Sequence, residues 1–175
     1  MKKSIIGAVA LGFAMIVGCT PSAEQINKTA TAIGYAAGLV ANQTKISDDA
    51  RNALVTVLNE VRSCIPAEGQ SFADAWTPII KEKVAELVAA GKVNEATGAI
   101  VTTVAVMAAQ AVDYMFDIRF PAAKKYEELV RAGVTGVVDG FLTVFKPANE
   151  CDDCTYKATE AYDLEAYEWF EKNLK

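Results

Sequence analysis

Apolar residues recur along this chain at intervals of three and four, the period of a helix face, and no useful stretch alternates as a strand does. Ser22 with Gln25 three residues on has the form of a capping box and predicts a first helix over 22–43. Its apolar stripe is Ile26, Ala30, Ile33, Ala37, Val40 and Ala41. Gly34 and Gly38 stand four apart, which lets another helix come close at a propensity cost of about 1 kcal/mol each. That spacing suits self-association or packing within the chain, and the second is the expectation. Ser47 before Asp48 and Asp49 caps a second helix over 48–65. Ala50, Leu54, Val57, Leu58, Val61, Cys64 and Ile65 share its apolar face, with Arg51, Asn52, Asn59 and Arg62 mostly opposite.

Pro66, Gly69 and Ser71 then make a loop. Ser71 with Asp74 predicts a short turn, Thr77-Pro78 the start or a kink of a third helix, and Gly91 its stop. A fourth helix over 93–119 is the most apolar, with 17 neutral residues between Glu95 and Asp113. Thr102, Val106, Gln110, Asp113 and Asp117 form one narrow, mostly polar strip on it. The run is slightly short for a membrane span, and the expectation is the central helix of a bundle. Pro121 predicts the first residue of a fifth helix over 121–146, with Gly133, Gly136 and Gly140 along one edge and Glu128, Arg131, Thr135 and Asp139 on the outer face. A sixth helix over 155–173 carries Tyr156, Tyr162, Tyr167, Trp169 and Phe170, read as aromatic core packing rather than a stacking platform. The pattern as a whole predicts an all-α fold, a compact bundle of about six helices.

Composition narrows the chemistry. The 175 residues suit one domain, and 52% apolar content is ample for its core. There is no His, which removes imidazole ligands, Ser-His-Asp and Cys-His catalysis, and imidazole pH switching. Seventeen Lys and Arg against 22 Asp and Glu argue against nucleic acid as a partner. Neither a cofactor nor a metal is expected.

The N-terminus carries an address. Lys2 and Lys3 precede an uncharged apolar run from Ile5 to Val17, too short to span a bilayer but suited to a secretory leader. The run ends Ile16-Val17-Gly18-Cys19. This resembles the lipobox of bacterial lipoprotein precursors: an aliphatic residue, a tolerant position, a small residue, then Cys. The resemblance covers residues 1–19 only. It implies cleavage between Gly18 and Cys19, lipidation of the Cys19 thiol, and membrane attachment by the acyl chains, since two or three of them anchor stably where one is marginal. Thr20, rather than Asp, implies outer-membrane sorting, on the periplasmic side. Residues 1–18 are then the signal peptide, 19–22 a lipidated tether, and 23–175 the helical domain. The mature chain has 17 − 2 = 15 basic and 22 acidic residues, a net of −7.

Three cysteines remain. Cys151-Asp-Asp-Cys154 has redox spacing but no βαβ context, and Thr155 excludes haem attachment. A structural disulfide is expected, from Cys64 to Cys151 or Cys154, because a bridge closing a long loop restricts the unfolded chain most. Asp113 and Asp117, one turn apart, are the carboxylates worth testing as acids in an apolar wall, with a solvated stripe the plainer reading. No phosphate loop or nucleophile elbow is present.

These features together predict a lipid-anchored, non-enzymatic envelope module that binds or shields a protein partner. The alternatives are an envelope enzyme using carboxylates or the Cys151/Cys154 loop, and a membrane-perturbing protein that inserts helices four and five as a hairpin.

Overall fold

A computed structural model describes residues 21–43, 46–145 and 163–173. The described residues form six α-helices and no strand, an all-α bundle. They are α1 (Ala23–Asn42), α2 (Asp48–Val61), α3 (Phe72–Ala89), α4 (Glu95–Tyr114), α5 (Glu127–Thr143) and α6 (Leu164–Asn173).

Local chemistry sets most helix starts. Ser22 caps α1 in a full capping box: its hydroxyl accepts from Gln25 N at 3.2 Å, and the Gln25 amide oxygen accepts from Ser22 N at 3.0 Å. Ser47 Oγ accepts from Ala50 N, and Asn94 Oδ1 accepts from Thr97 N. Gly91, at φ +68°, ends α3. Lys92 N donates to Leu87 O and Gly91 N to Val88 O, so both freed carbonyls are satisfied in a Schellman turn.

Two helix starts differ from the sequence expectation. The third helix begins at Phe72, not near Pro78, which sits inside it. Ser71 Oγ takes Asp74 N at 3.0 Å, while the Asp113 carboxylate on α4 takes Phe72 N at 2.7 Å and Ala73 N at 2.9 Å. Three otherwise orphaned N–H groups thus find side-chain acceptors, and the helix starts a turn and a half early. Pro78 costs the Asp74 carbonyl its helical donor, but both residues lie on the exposed side, where water replaces it. The fifth helix begins at Glu127 rather than Pro121. Pro121 instead starts a 3₁₀ turn, Pro121–Lys125, and the extended backbone of Tyr126 (φ −121°, ψ 108°) separates it from α5. Upstream, Met115–Arg119 is a π-helical turn in which Phe120 N donates to Met115 O. The fifth helix ends at Thr143 rather than 146, and the expected first turns of the sixth fall outside the described residues.

The chief packing pair is α1 with α5, and the two run parallel. Asn27 Nδ2 donates to Ala132 O at 3.1 Å, while further along Gly140 faces Thr31 and Gly38 faces Phe141. The interface is built on glycine. Gly34 lies against the Val137 backbone and Gly136 against Asn27 and Ala30. Both glycine motifs therefore serve close packing within the chain, as expected. α3 and α4 form an antiparallel hairpin, with Gly98 against Val84 and Val88. α2 lies antiparallel to α3, tied by Lys83 to Glu60 at 2.9 Å and by the Trp76 indole N–H to Cys64 O at 2.8 Å.

α6 docks through the aromatic residues read as core. Tyr114 packs on Trp169 at 4.9 Å and on Phe170 at 5.2 Å, and Phe170 is fully buried. Arg119 fixes the start of α6, pairing with Asp163 at 3.0 Å and Glu165 at 2.7 Å. The segment Glu95–Arg119 is long and apolar enough to cross a membrane, yet 61% of its apolar window is buried inside the bundle. Its packing is that of a central core helix, and α5 is mated to α1 rather than to α4 as a hairpin would require.

Candidate functional site

Gly18 and Cys19, the expected processing and lipidation residues, lie outside the described residues. So do Cys151 and Cys154. Cys64 is described: it sits just past the end of α2, half-buried, with no disulfide partner among the described residues. Its backbone carbonyl holds the Trp76 indole, so the position has a structural task apart from any bond its sulfur makes.

The structure separates Asp113, on α4, from Asp117, in the π-helical turn that follows it. Asp117 is exposed and pairs with Lys124. Asp113 is half-buried, and its two oxygens each accept a backbone N–H at the start of α3. Burial pushes the Asp113 carboxyl above the usual range, against the pull of those two donors. It is a tertiary helix cap with both oxygens engaged. No group of three or more Cys, Asp or Glu among the described residues is placed to hold a metal.

A groove of about 920 Å³ lies between α2 and the C-terminal half of α5. Asp48, Arg51, Asn52, Thr56 and Asn59 line one wall, Asp139 and Thr143 the other, and Val55, Leu142 and Phe145 supply apolar surface. Helical spacing explains the first wall: positions 48, 52, 55 and 59 follow at intervals of three or four, with 51 and 56 beside them on the same face. Thr56 and Thr143 turn their hydroxyls back to the carbonyls of Asn52 and Asp139. Arg62 spans the groove's end to Asp139 at 3.3 Å.

Two acids line this groove at different points, Asp48 at the start of α2 and Asp139 opposite Arg62 at its end, and neither is placed for acid–base work. Asp48 is 93% exposed and Asp139 56%, and each faces an arginine. General acid catalysis needs a desolvated or like-charge site, which is absent at both. Arg51 stands out instead. Its Nη1 is a loose 3.7 Å from Asp48, while its Nε is buried with no acceptor among the described residues. A guanidinium N–H without a partner is uncommon, because leaving such a donor unmet costs about 1–3 kcal/mol or more.

Sequence reading placed Arg51, Asn52, Asn59 and Arg62 on the polar face of one helix and Asp139 on that of another. It missed that the two faces meet. The complementary charges of Arg62 and Asp139 were a signal, but 77 residues of separation give no register. A second groove, about 830 Å³, lies between the 65–70 loop and the 3₁₀ turn, lined by Pro66, Gln70, Pro121 and Lys125 among others.

No protein-family model matches the chain, and no curated protein or solved structure does.

Proposed function

We propose that this chain is a lipid-anchored envelope protein, acylated at Cys19 and held on the periplasmic side of the outer membrane, that binds or shields a protein partner without catalysing a reaction. The observation that carries the binding role is the α2/α5 groove with Arg51 in its wall. It combines apolar surface with a permanently charged, fork-shaped donor that is about one-third exposed and only loosely paired, its Nη1 standing 3.7 Å from Asp48. Such a guanidinium suits a carboxylate brought by an incoming chain, since planar two-point pairing is the recognition Arg does best.

Two further features support the reading over its alternatives. An enzyme built on Asp113 would need a carboxylate free to move a proton, and both its oxygens already hold the start of α3. An inserting hairpin of α4 and α5 would have to strip α5 from its glycine-lined seat on α1. The lipobox-like run Ile16-Val17-Gly18-Cys19 supports the address.

Site-specific photo-crosslinking in the producing cells tests the binding role. A benzoylphenylalanine at Thr56 or Asn59, both in the groove, should give one shared protein adduct after affinity capture and mass spectrometry. The same probe at Glu82, exposed on α3, should not. Equal adducts at all three positions, or none in the groove, would contradict it.

A further inference from the structure

The parallel pairing of α1 and α5 fixes the end of the bundle from which the anchor leaves. Asn27 is level with Ala132, through the hydrogen bond between them. At about 1.5 Å per residue, Ala23 lies about 6 Å beyond Asn27, and Tyr126 about 9 Å beyond Ala132 in the same direction. α4 finishes at this end too, because the Phe116 ring fills the space beside Gly133, 2.5 Å from where a Cβ there would stand. Ile118 follows two residues later. Arg119 then draws in the residues on either side of Leu164, Asp163 and Glu165.

Four large apolar side chains are exposed among the described residues: Ile100 at 44%, Ile118 at 51%, Tyr126 at 51% and Leu164 at 55%. Ile118 and Tyr126 belong to this one end, whereas Leu164 lies farther along the bundle, since the Gln43 amide at the far end of α1 donates to the hydroxyl of Tyr167, three residues on, at 3.4 Å. Ile100, on α4, is 16 residues before Phe116 and so about 24 Å away toward the other end. Lys125 is exposed beside Tyr126.

Only three peptide steps, at most about 11 Å of chain, separate Cys19 from the Ser22 cap of α1. We infer that this end of the bundle rests on the bilayer into which Cys19 is acylated, with Tyr126 and Ile118 as its interfacial contacts. The inference rests on the lipidated reading of Cys19. A short tether holds these side chains at high effective concentration next to the lipid, so weak contacts suffice. Tyrosine suits the headgroup level, with an apolar ring and a wet hydroxyl, and Lys125 can lay its stem along the same surface. The nearby charges are balanced: Asp117 pairs with Lys124, and Glu127 with Arg131. Contact is therefore apolar and does not select anionic lipid. In this orientation the α2/α5 groove, which ends at Asp48 and Phe145, opens away from the membrane.

Depth-dependent quenching tests the orientation. The full precursor is expressed with Tyr126→Trp, Ile118→Trp or Ile100→Trp, and the mature protein is reconstituted in phosphatidylcholine vesicles with brominated chains. The parent, with Trp76 and Trp169, gives the background. The emission added at 126 and 118 should fall by about half or more, as for a ring at headgroup depth. The emission added at 100 should be unchanged, and phosphatidylglycerol vesicles should give the same pattern. Equal behaviour at all three positions, with lipid found on the Cys19 peptide by mass spectrometry, overturns the orientation and leaves the anchor standing. A Cys19 peptide without lipid overturns both.

Discussion

Gly140 on α5 lies so close to Thr31 on α1 that a methyl group on the glycine would overlap the Thr31 carbonyl. Gly34 repeats the relationship in reverse against the Val137 carbonyl. The two helices pack backbone to backbone at their crossing, and the obstacle on each side is main chain, which cannot step aside.

Gly140→Ala should therefore destabilise the protein by about 3 kcal/mol or prevent folding. Helix propensity alone would favour Ala by about 1 kcal/mol, so the sign of the effect isolates the packing. Gly98→Ala is the control, because a Cβ there meets only the tips of Val84 at 3.0 Å and Val88 at 3.1 Å. It should stay within about 1 kcal/mol of the parent. Urea unfolding followed by circular dichroism reads both. A Gly140→Ala variant as stable as the parent would mean that the helices do not meet here.

Asp113 joins α4 to the start of α3, and removing its carboxylate should leave Phe72 N and Ala73 N without acceptors. Asp113→Ala should lower stability by about 2 kcal/mol at neutral pH. Asp113→Asn keeps one oxygen and should cost roughly half as much. The pH dependence has a definite sign. Burial raises the folded-state pKa of this acid, so the folded chain holds the proton more tightly than the unfolded one. The proton-linked part of its contribution is fully present below the unfolded pKa, about 3.9, and is lost as pH rises through the folded value, while the two cap hydrogen bonds remain. The deficit of the Asn variant should thus shrink between pH 4 and pH 7. A deficit that widens over that range would contradict the assignment.

These two sites mark what could be read from sequence and what could not. The capping signals at Ser22, Ser47 and Gly91 act within a few residues, and the structure keeps all three. The glycine spacings announced close approach, because spacing is a property of one helix, but which helices met was beyond local pattern. Asp113 defeated the reading for the same reason. It acts on a backbone 40 residues away, so α3 starts where a tertiary acceptor allows it, while Pro78 pointed to a later start. The groove is the extreme case: its walls are the polar faces of α2 and α5, which look solvated until the helices are brought together.

Arg119 holds the first turn of α6 through Asp163 and Glu165, with Tyr114 stacked on Trp169 and Phe170 behind it. The pairs are partly exposed, so Arg119→Ala should loosen α6 by only about 1 kcal/mol. Hydrogen exchange of residues 164–173 should then quicken roughly fivefold while α1 and α5 keep their protection. Arg119→Lys should recover part of the loss, since an ammonium can satisfy only one carboxylate well. Unchanged exchange in α6 would show that the aromatic contacts suffice alone.

Metabolic labelling with an alkynyl palmitate, in the producing cells, tests the central claim most directly. The wild-type chain should take up label and shorten by its first 18 residues, while Cys19→Ala should take up none and lose that processing. Equal labelling of the Cys19→Ala chain would contradict the anchor, and with it the placement of the bundle on the membrane.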